Sequence, residues 1–168
     1  MKIFKNKRGF TMVELLVAMT LFIIFIMIAS GSFIRALRTQ RAIVALIAAN
    51  DNASLSIEQM AKEVRTGASF SSTNGNDLDF INAYNIEVTY RLNNNTIERG
   101  EGGANFKPIT AANVKINSLS FYLRGNLAGD NYPPRITISL NVSPSNILNI
   151  QNISTNFETT VSARLLDT

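Results

Sequence analysis

KNKRGFTMVELLVAMTLFIIF, residues 5–25, decides how the whole chain is read. A basic leader, Lys2, Lys5, Lys7 and Arg8, ends at Gly9-Phe10, and an apolar run continues from there to Phe33-Ile34. From Leu15 to Ile34 no residue is charged. About 20 such residues at ~1.5 Å each match a ~30 Å hydrocarbon core. The run is apolar on every side, which suits lipid or a helical bundle, and a buried helix of a globular protein is usually shorter. One carboxylate, Glu14, lies near its start. A charge at the centre of a membrane helix costs about 2.5–3.5 kcal/mol on insertion scales, which marks an acid in such a segment as functional.

Charge alone orients the span weakly, because Arg35, Arg38 and Arg41 follow it as closely as the leader precedes it. The amino side is a short leader and the carboxyl side a whole domain, so the expected orientation is amino terminus inside. Two rival readings keep the segment as an ordinary targeting element. A secretory signal would use Ala29-Ser30-Gly31 as its cleavage site and cut before Ser32, but Glu14 and the long apolar core oppose it. The other rival is a non-cleaved signal anchor.

Basic residues, Gly9-Phe10, three apolar or small residues, Glu14 and an unbroken hydrophobic helix together resemble the amino terminus of type IV prepilins and pseudopilins, the class III prepilin-type signal. The resemblance implies that prepilin peptidase cuts after Gly9 on the cytoplasmic face and methylates the new terminus, giving N-methylphenylalanine at Phe10. It also implies that Glu14, the family's conserved acid, pairs with the terminal amine of a neighbouring subunit in the filament. The residue chemistry fits. A glycine before the cut leaves the backbone unhindered. Glu14, about one turn into the helix, complements its dipole. A desolvated carboxylate beside an ammonium gains far more than in water, provided both are paired. Thr11-x-x-Glu14 is at the same time a capping-box pattern, so Glu14 has a local role available as well.

Beyond the span the helical pattern continues. Ile43, Leu46, Ile47, Asn50, Ala53, Ile57, Met60, Ala61 and Val64 recur at three- and four-residue steps, with charges mostly off that stripe. No proline interrupts residues 10–65, and Thr66-Gly67 reads as a stop. One helix of ~55 residues would be ~80 Å long. Many relatives in the resembled family have a helix-bending proline where this chain has Gly31, which implies a softer bend here. After Gly67 the composition turns to short alternating stretches. Strands are predicted at Asp77–Ile81, Ile86–Leu92, Thr96–Arg99, Val114–Leu123, Arg135–Val142 and Phe157–Leu165. Asn93-Asn94-Asn95 reads as a tight hairpin turn, and Gly100–Asn105 and Gly125–Pro134 as loops. The expected organisation is a cleaved leader over 1–9, a transmembrane or filament-core helix over 10–34, its amphipathic half over 35–66, and a β-sheet domain over 67–168. The fold class is α+β, with the amphipathic half-helix packed on an antiparallel sheet. This domain loosely resembles J-type minor pseudopilins, through Met60–Arg65, Val88–Leu92 with Ile97–Arg99, Pro133–Ile138 and Thr159–Arg164.

The formal charge of +4 suggests nucleic acid or anionic lipid at first sight. Removing Lys2, Lys5, Lys7 and Arg8 from the sixteen basic residues leaves twelve, equal to the twelve acidic ones. The basic balance belongs to the leader, so it indicates no direct nucleic-acid partner. Arg35, Arg38 and Arg41 read as juxtamembrane contacts with lipid headgroups. Without cysteine there is no disulfide or thiol chemistry. Without histidine the commonest metal ligand and general base are missing. Asp77 and Asp79 share a strand face, but the alternation with Leu78 and Phe80 explains them without a catalytic dyad. Asp130-Asn131 offers too few oxygens for the 6–8 that calcium takes, so no metal is assigned. No Walker or dinucleotide motif occurs.

The sequence therefore points to a non-enzymatic minor pilin or pseudopilin without cofactor or small-molecule substrate. It would belong to a type IV pilus or a type II secretion pseudopilus. Its partners would be prepilin peptidase, other pilin or pseudopilin subunits, an inner-membrane assembly platform and membrane lipid. Its location would be the bacterial cytoplasmic membrane and then an extracytoplasmic filament. Two alternatives are a single-pass anchored extracytoplasmic binding module and a competence-pilus minor subunit for DNA uptake.

Overall fold

A computed structural model describes residues 9–125, 132–145 and 153–164. The leader residues Lys2, Lys5, Lys7 and Arg8, the Asp130-Asn131 pair and Leu165 lie outside the described residues. One helix, α1 (Met12–Arg65), is followed by eight strands: β1 (Ala68–Ser71), β2 (Asp77–Ile81), β3 (Glu87–Asn93), β4 (Thr96–Glu101), β5 (Ala104–Pro108), β6 (Val114–Arg124), β7 (Arg135–Pro144) and β8 (Thr155–Ser162). The architecture is α+β and pilin-like: a long apolar amino-terminal helix and antiparallel β-sheets. The chain falls into two compact units, Met1–Arg41 and Ala42–Thr168.

In the first unit the helix is exposed throughout, with Leu, Ile, Phe, Val and Met side chains open on every side. It is long and apolar enough to cross a membrane. Gly31 lies inside the helix and does not interrupt it. Glu14 in the first turn and Lys62 and Arg65 in the last complement the helix dipole.

The second unit has two antiparallel sheets where a single one was expected. One has the order β1-β2-β3-β4-β5 and the other β6-β7-β8. They share a core of Leu78, Phe80, Val88, Tyr90 and Ile97 from the first sheet and Ile116, Phe121, Ile136, Ile138, Leu140 and Val142 from the second. Phe70, Phe80 and Tyr90 stack through this core with centroids 5.6 and 6.1 Å apart. Asn94 and Asn95 form the two-residue β3–β4 turn with φ of 47° and 62°. Two positive φ values are what a type I′ hairpin requires, and asparagine tolerates them. The same turn joins the sheets, since Asn95 O accepts from Ile116 N at 2.9 Å and Asn95 Nδ2 donates to Ile116 O at 2.9 Å.

The helix face toward this core is Ala49, Ala53, Met60 and Val64, and Ala42 and Ser56 of the same helix are buried as well. Ile43 and Ile47, expected on that face, are instead 53% and 54% exposed. Small residues win these positions because they let the helix backbone approach closely. Buried Ser56 returns its hydroxyl to Asn52 O at 3.0 Å, and Asn52 Oδ1 accepts from Ala111 N at 3.1 Å. The helix ends as expected at Thr66-Gly67, where both amides turn back to the carbonyls of Glu63 and Val64.

Two strands lie outside the predicted ones. β1 is four residues long, and Ser69 within it has a φ of 55°. β5 occupies part of the expected Gly100–Asn105 loop, with the turn confined to Gly102-Gly103. Its Asn105, Lys107 and Pro108 disguise it, and they are the residues an edge strand tolerates.

Candidate functional site

Three residues precede the helix in the described chain: Gly9, Phe10 and Thr11. All are exposed. A side chain built at Gly9 would meet nothing within 4 Å, so among the described residues nothing crowds that position. The helix begins at Met12, two residues later than the pattern alone suggested, because Thr11 caps it. Thr11 Oγ1 accepts from Glu14 N at 3.3 Å, and Glu14 Oε2 accepts from Thr11 N at 3.3 Å and Thr11 Oγ1 at 3.2 Å. This is a reciprocal capping box, satisfying two of the amides that a helix start leaves unpaired. It also holds the Glu14 carboxylate at the amino-terminal end of the helix, one turn from Phe10. Phe10 itself is 86% exposed.

The structure thus brings Gly9, Phe10 and Glu14 together within one turn of the helix start. Arg35, Arg38 and Arg41 are exposed on the helix, and none forms an ion pair among the described residues.

Asp77 and Asp79 have structural partners. Asp77 Oδ1 accepts from the backbone amides of Thr73 and Asn74 at 3.0 and 3.3 Å and closes the β1–β2 turn. Asp79 accepts from the hydroxyl of Thr89 across the strand pair. Leu78 and Phe80 between them are buried, as the alternation predicted. Among the described residues no group of three acids could hold a metal ion.

The strongest electrostatics of the second unit lie where α1 meets the five-stranded sheet, at residues the sequence reading did not connect. Glu63 accepts from Tyr90 Oη at 2.9 Å and from Arg99 Nε at 3.1 Å on both carboxylate oxygens. Arg99 Nη1 also donates to Glu101 at 2.6 Å. Burial, then the adjacent Glu63 charge, pushes the Tyr90 phenol well above its ordinary value. Burial opposes the Arg99 charge, but the hydrogen bonds it donates to Glu101 and Glu63 overcome it and raise its pKa. Each charge is spent on a neighbour, so the cluster is a clamp between helix and sheet.

Residues 4–30 match the family model of the prokaryotic N-terminal methylation motif. No curated protein and no solved structure matches the chain. The matched stretch carries the class III prepilin signal read from the leader, Gly9-Phe10 and Glu14, whereas the looser likeness of the carboxyl-terminal strands to J-type pseudopilins has no such match. The motif, borne on a long apolar helix ahead of antiparallel sheets, supports a type IV pilin- or pseudopilin-like protein.

Proposed function

We propose that this chain is a minor pilin or pseudopilin, a structural subunit of a type IV pilus or a type II secretion pseudopilus. The observation that carries the reading is the methylation motif over residues 4–30 on an exposed Gly9–Phe10 peptide directly ahead of a capped apolar helix. The precursor sits in the cytoplasmic membrane with its amino terminus inside. Prepilin peptidase cuts after Gly9 and methylates Phe10. The subunit then leaves the membrane through an inner-membrane assembly platform and joins other subunits by its apolar helix.

Glu14 gives this step its register. In the precursor its carboxylate is occupied by the cap on Thr11. Cleavage creates an amine at Phe10, and the carboxylate of one subunit pairs with the amine of the next as both lose water. A lone carboxylate in that environment costs several kcal/mol, so the paired arrangement is the one that assembles. The subunit is not an enzyme in this reading, and the energy for extraction comes from the assembly machine.

Intact-mass measurement of the protein from membranes tests the proposal. A mass beginning at Phe10 with one added methyl group supports it. A mass retaining residues 1–9, or beginning at Ser32, would end it in favour of an uncleaved anchor or a secretory signal.

A further inference from the structure

The outer face of the three-stranded sheet carries a like-charge pair with no ionic partner among the described residues. In the β6–β7 register Arg124 stands directly opposite Arg135, and Arg135 stands opposite Ser162 of β8. Both arginines are exposed, and neither has an ion pair among the described residues. Arg124 Nε donates to Tyr122 Oη at 3.3 Å, with the guanidinium 5.2 Å from the centre of that ring. Like charges directly opposite one another weaken a strand pair. An anion between them would reverse the sign of the interaction.

The rest of the face is polar and held in rows. Tyr122, Thr137 and Thr160 form the next row, with the two threonine hydroxyls 2.9 Å apart. Ser120, Ser139 and Glu158 form the one beyond. Further along, Asn117, Asn141 and Asn156 hydrogen-bond side chain to side chain across all three strands. A shallow groove of about 530 Å³ lies over the first three rows.

We infer that this groove binds a carboxylate-bearing polysaccharide. A sugar carboxylate bridges Arg124 and Arg135, whose forked N–H donors match its two oxygens. The sugar hydroxyls meet Thr137 and Thr160, which both donate and accept, and Glu158, which accepts only. From Arg135 to Ser139 the strand advances about 13 Å at ~3.3 Å per residue, enough for roughly two sugar rings. Other anionic partners fit this face less well. The centre of a protein interface gathers apolar and aromatic area, and the exposed large apolar side chain in this groove is Tyr122 alone among the described residues. A nucleic-acid track needs cations at successive phosphates, whereas the two cations of this groove stand opposite each other in a single row.

The test is a titration of the full-length protein in detergent with polygalacturonate, with dextran as the neutral polymer and a DNA duplex as the phosphate polymer. The expected result is salt-sensitive binding of polygalacturonate, at least tenfold tighter than of either control. Arg124→Gln with Arg135→Gln lowers it at least tenfold, while the melting temperature stays level or rises because the like-charge repulsion is gone. No binding, equal binding of dextran or DNA, or binding that survives both substitutions would overturn the inference. So would a lower melting temperature in the doubly substituted protein, which would make the pair structural.

Discussion

Tyr90, on the central strand of the five-stranded sheet, donates its phenolic hydrogen to Glu63 of α1 at 2.9 Å. Arg99 on the next strand reaches the same carboxylate through Nε. The three side chains come from an amphipathic helix and two strands separated from it by 27 and 36 residues. The bond therefore closes the helix onto the sheet.

Tyr90→Phe keeps the ring in the aromatic stack and removes only the hydroxyl. A hydrogen bond to a charged group contributes about 1.5–3 kcal/mol, which is the expected loss. Glu63→Gln should cost more, since it also weakens the hold on half-buried Arg99. Because both changes act on one network, the double variant should lose less than the sum, with a coupling of about 0.5–3 kcal/mol. Thermal unfolding in detergent, followed by near-ultraviolet circular dichroism, measures the cycle. Simple additivity would show that Tyr90 and Glu63 are merely adjacent.

The acid side of the stability curve should be set in part by Glu98 and Glu101. Arg91 donates through Nε and Nη2 to Glu98 at 3.0 and 2.9 Å, and Asn93 adds a third bond at 3.1 Å. These bonds hold Glu98 below the ordinary carboxylate value of 4.5, and Arg99 does the same for Glu101. Since both groups bind protons less readily when folded, the unfolded chain takes up more protons as the pH falls. Their contribution is fully present above about pH 4.5 and is lost below it, through the lowered folded values. The melting temperature should drop across that window, and Glu98→Gln should shrink the drop. An unchanged acid profile in Glu98→Gln would remove Glu98 from the account.

Much of this fold was legible in the sequence, for reasons visible in single residues. The helix was readable because no proline breaks it and Thr66-Gly67 ends it. The β3–β4 turn was readable because asparagine accepts positive φ. The helix face was misread at Ile43 and Ile47, because hydropathy favours large side chains whereas close packing on the core selects Ala49 and Ala53. β5 was missed because its Lys107 and Pro108 suit an edge as well as a loop. The residues proposed for cutting, methylation and assembly lie within six positions of one another, so Gly9, Phe10 and Glu14 could be proposed together. Glu63, Tyr90 and Arg99 could not, since only the strand pairing brings them into contact. The Arg124–Arg135 pair is a matter of register across a hairpin, and hydrophobic alternation does not show it.

Two glycines should respond oppositely to alanine. A Cβ at Gly67 would lie 2.6 Å from the Phe80 ring and 3.2 Å from both the Ile81 carbonyl oxygen and the Phe70 ring. The aromatic stack would have to shift, so Gly67→Ala should destabilise by about 1–3 kcal/mol. At Gly31 nothing lies within 4 Å of a Cβ. Gly31→Ala should be neutral or raise helix stability by up to about 1 kcal/mol. Unfolding of the two variants under one condition compares them directly, and equal effects would contradict the packing described at Gly67.

The two roles of Glu14 can be pulled apart by substitution. Its cap uses Thr11 as partner, so Thr11→Ala removes the hydroxyl that Glu14 N donates to while leaving the carboxylate in place. Loss of a cap costs roughly 1 kcal/mol of helix stability. That is small beside the apolar area that holds the helix in a membrane or a bundle, so Thr11→Ala should be processed and assembled normally. Glu14→Gln keeps an oxygen able to accept from the Thr11 amide but carries no charge for an amine. Insertion and cutting at Gly9 should be intact in that variant, whereas incorporation into filaments should fall to background. Glu14→Val should behave the same way. Immunoblots of sheared filaments against the membrane fraction, with and without prepilin peptidase, read all three variants. If Glu14→Gln entered filaments at the normal level, the carboxylate charge would have no part in assembly and the acid would be a helix cap alone.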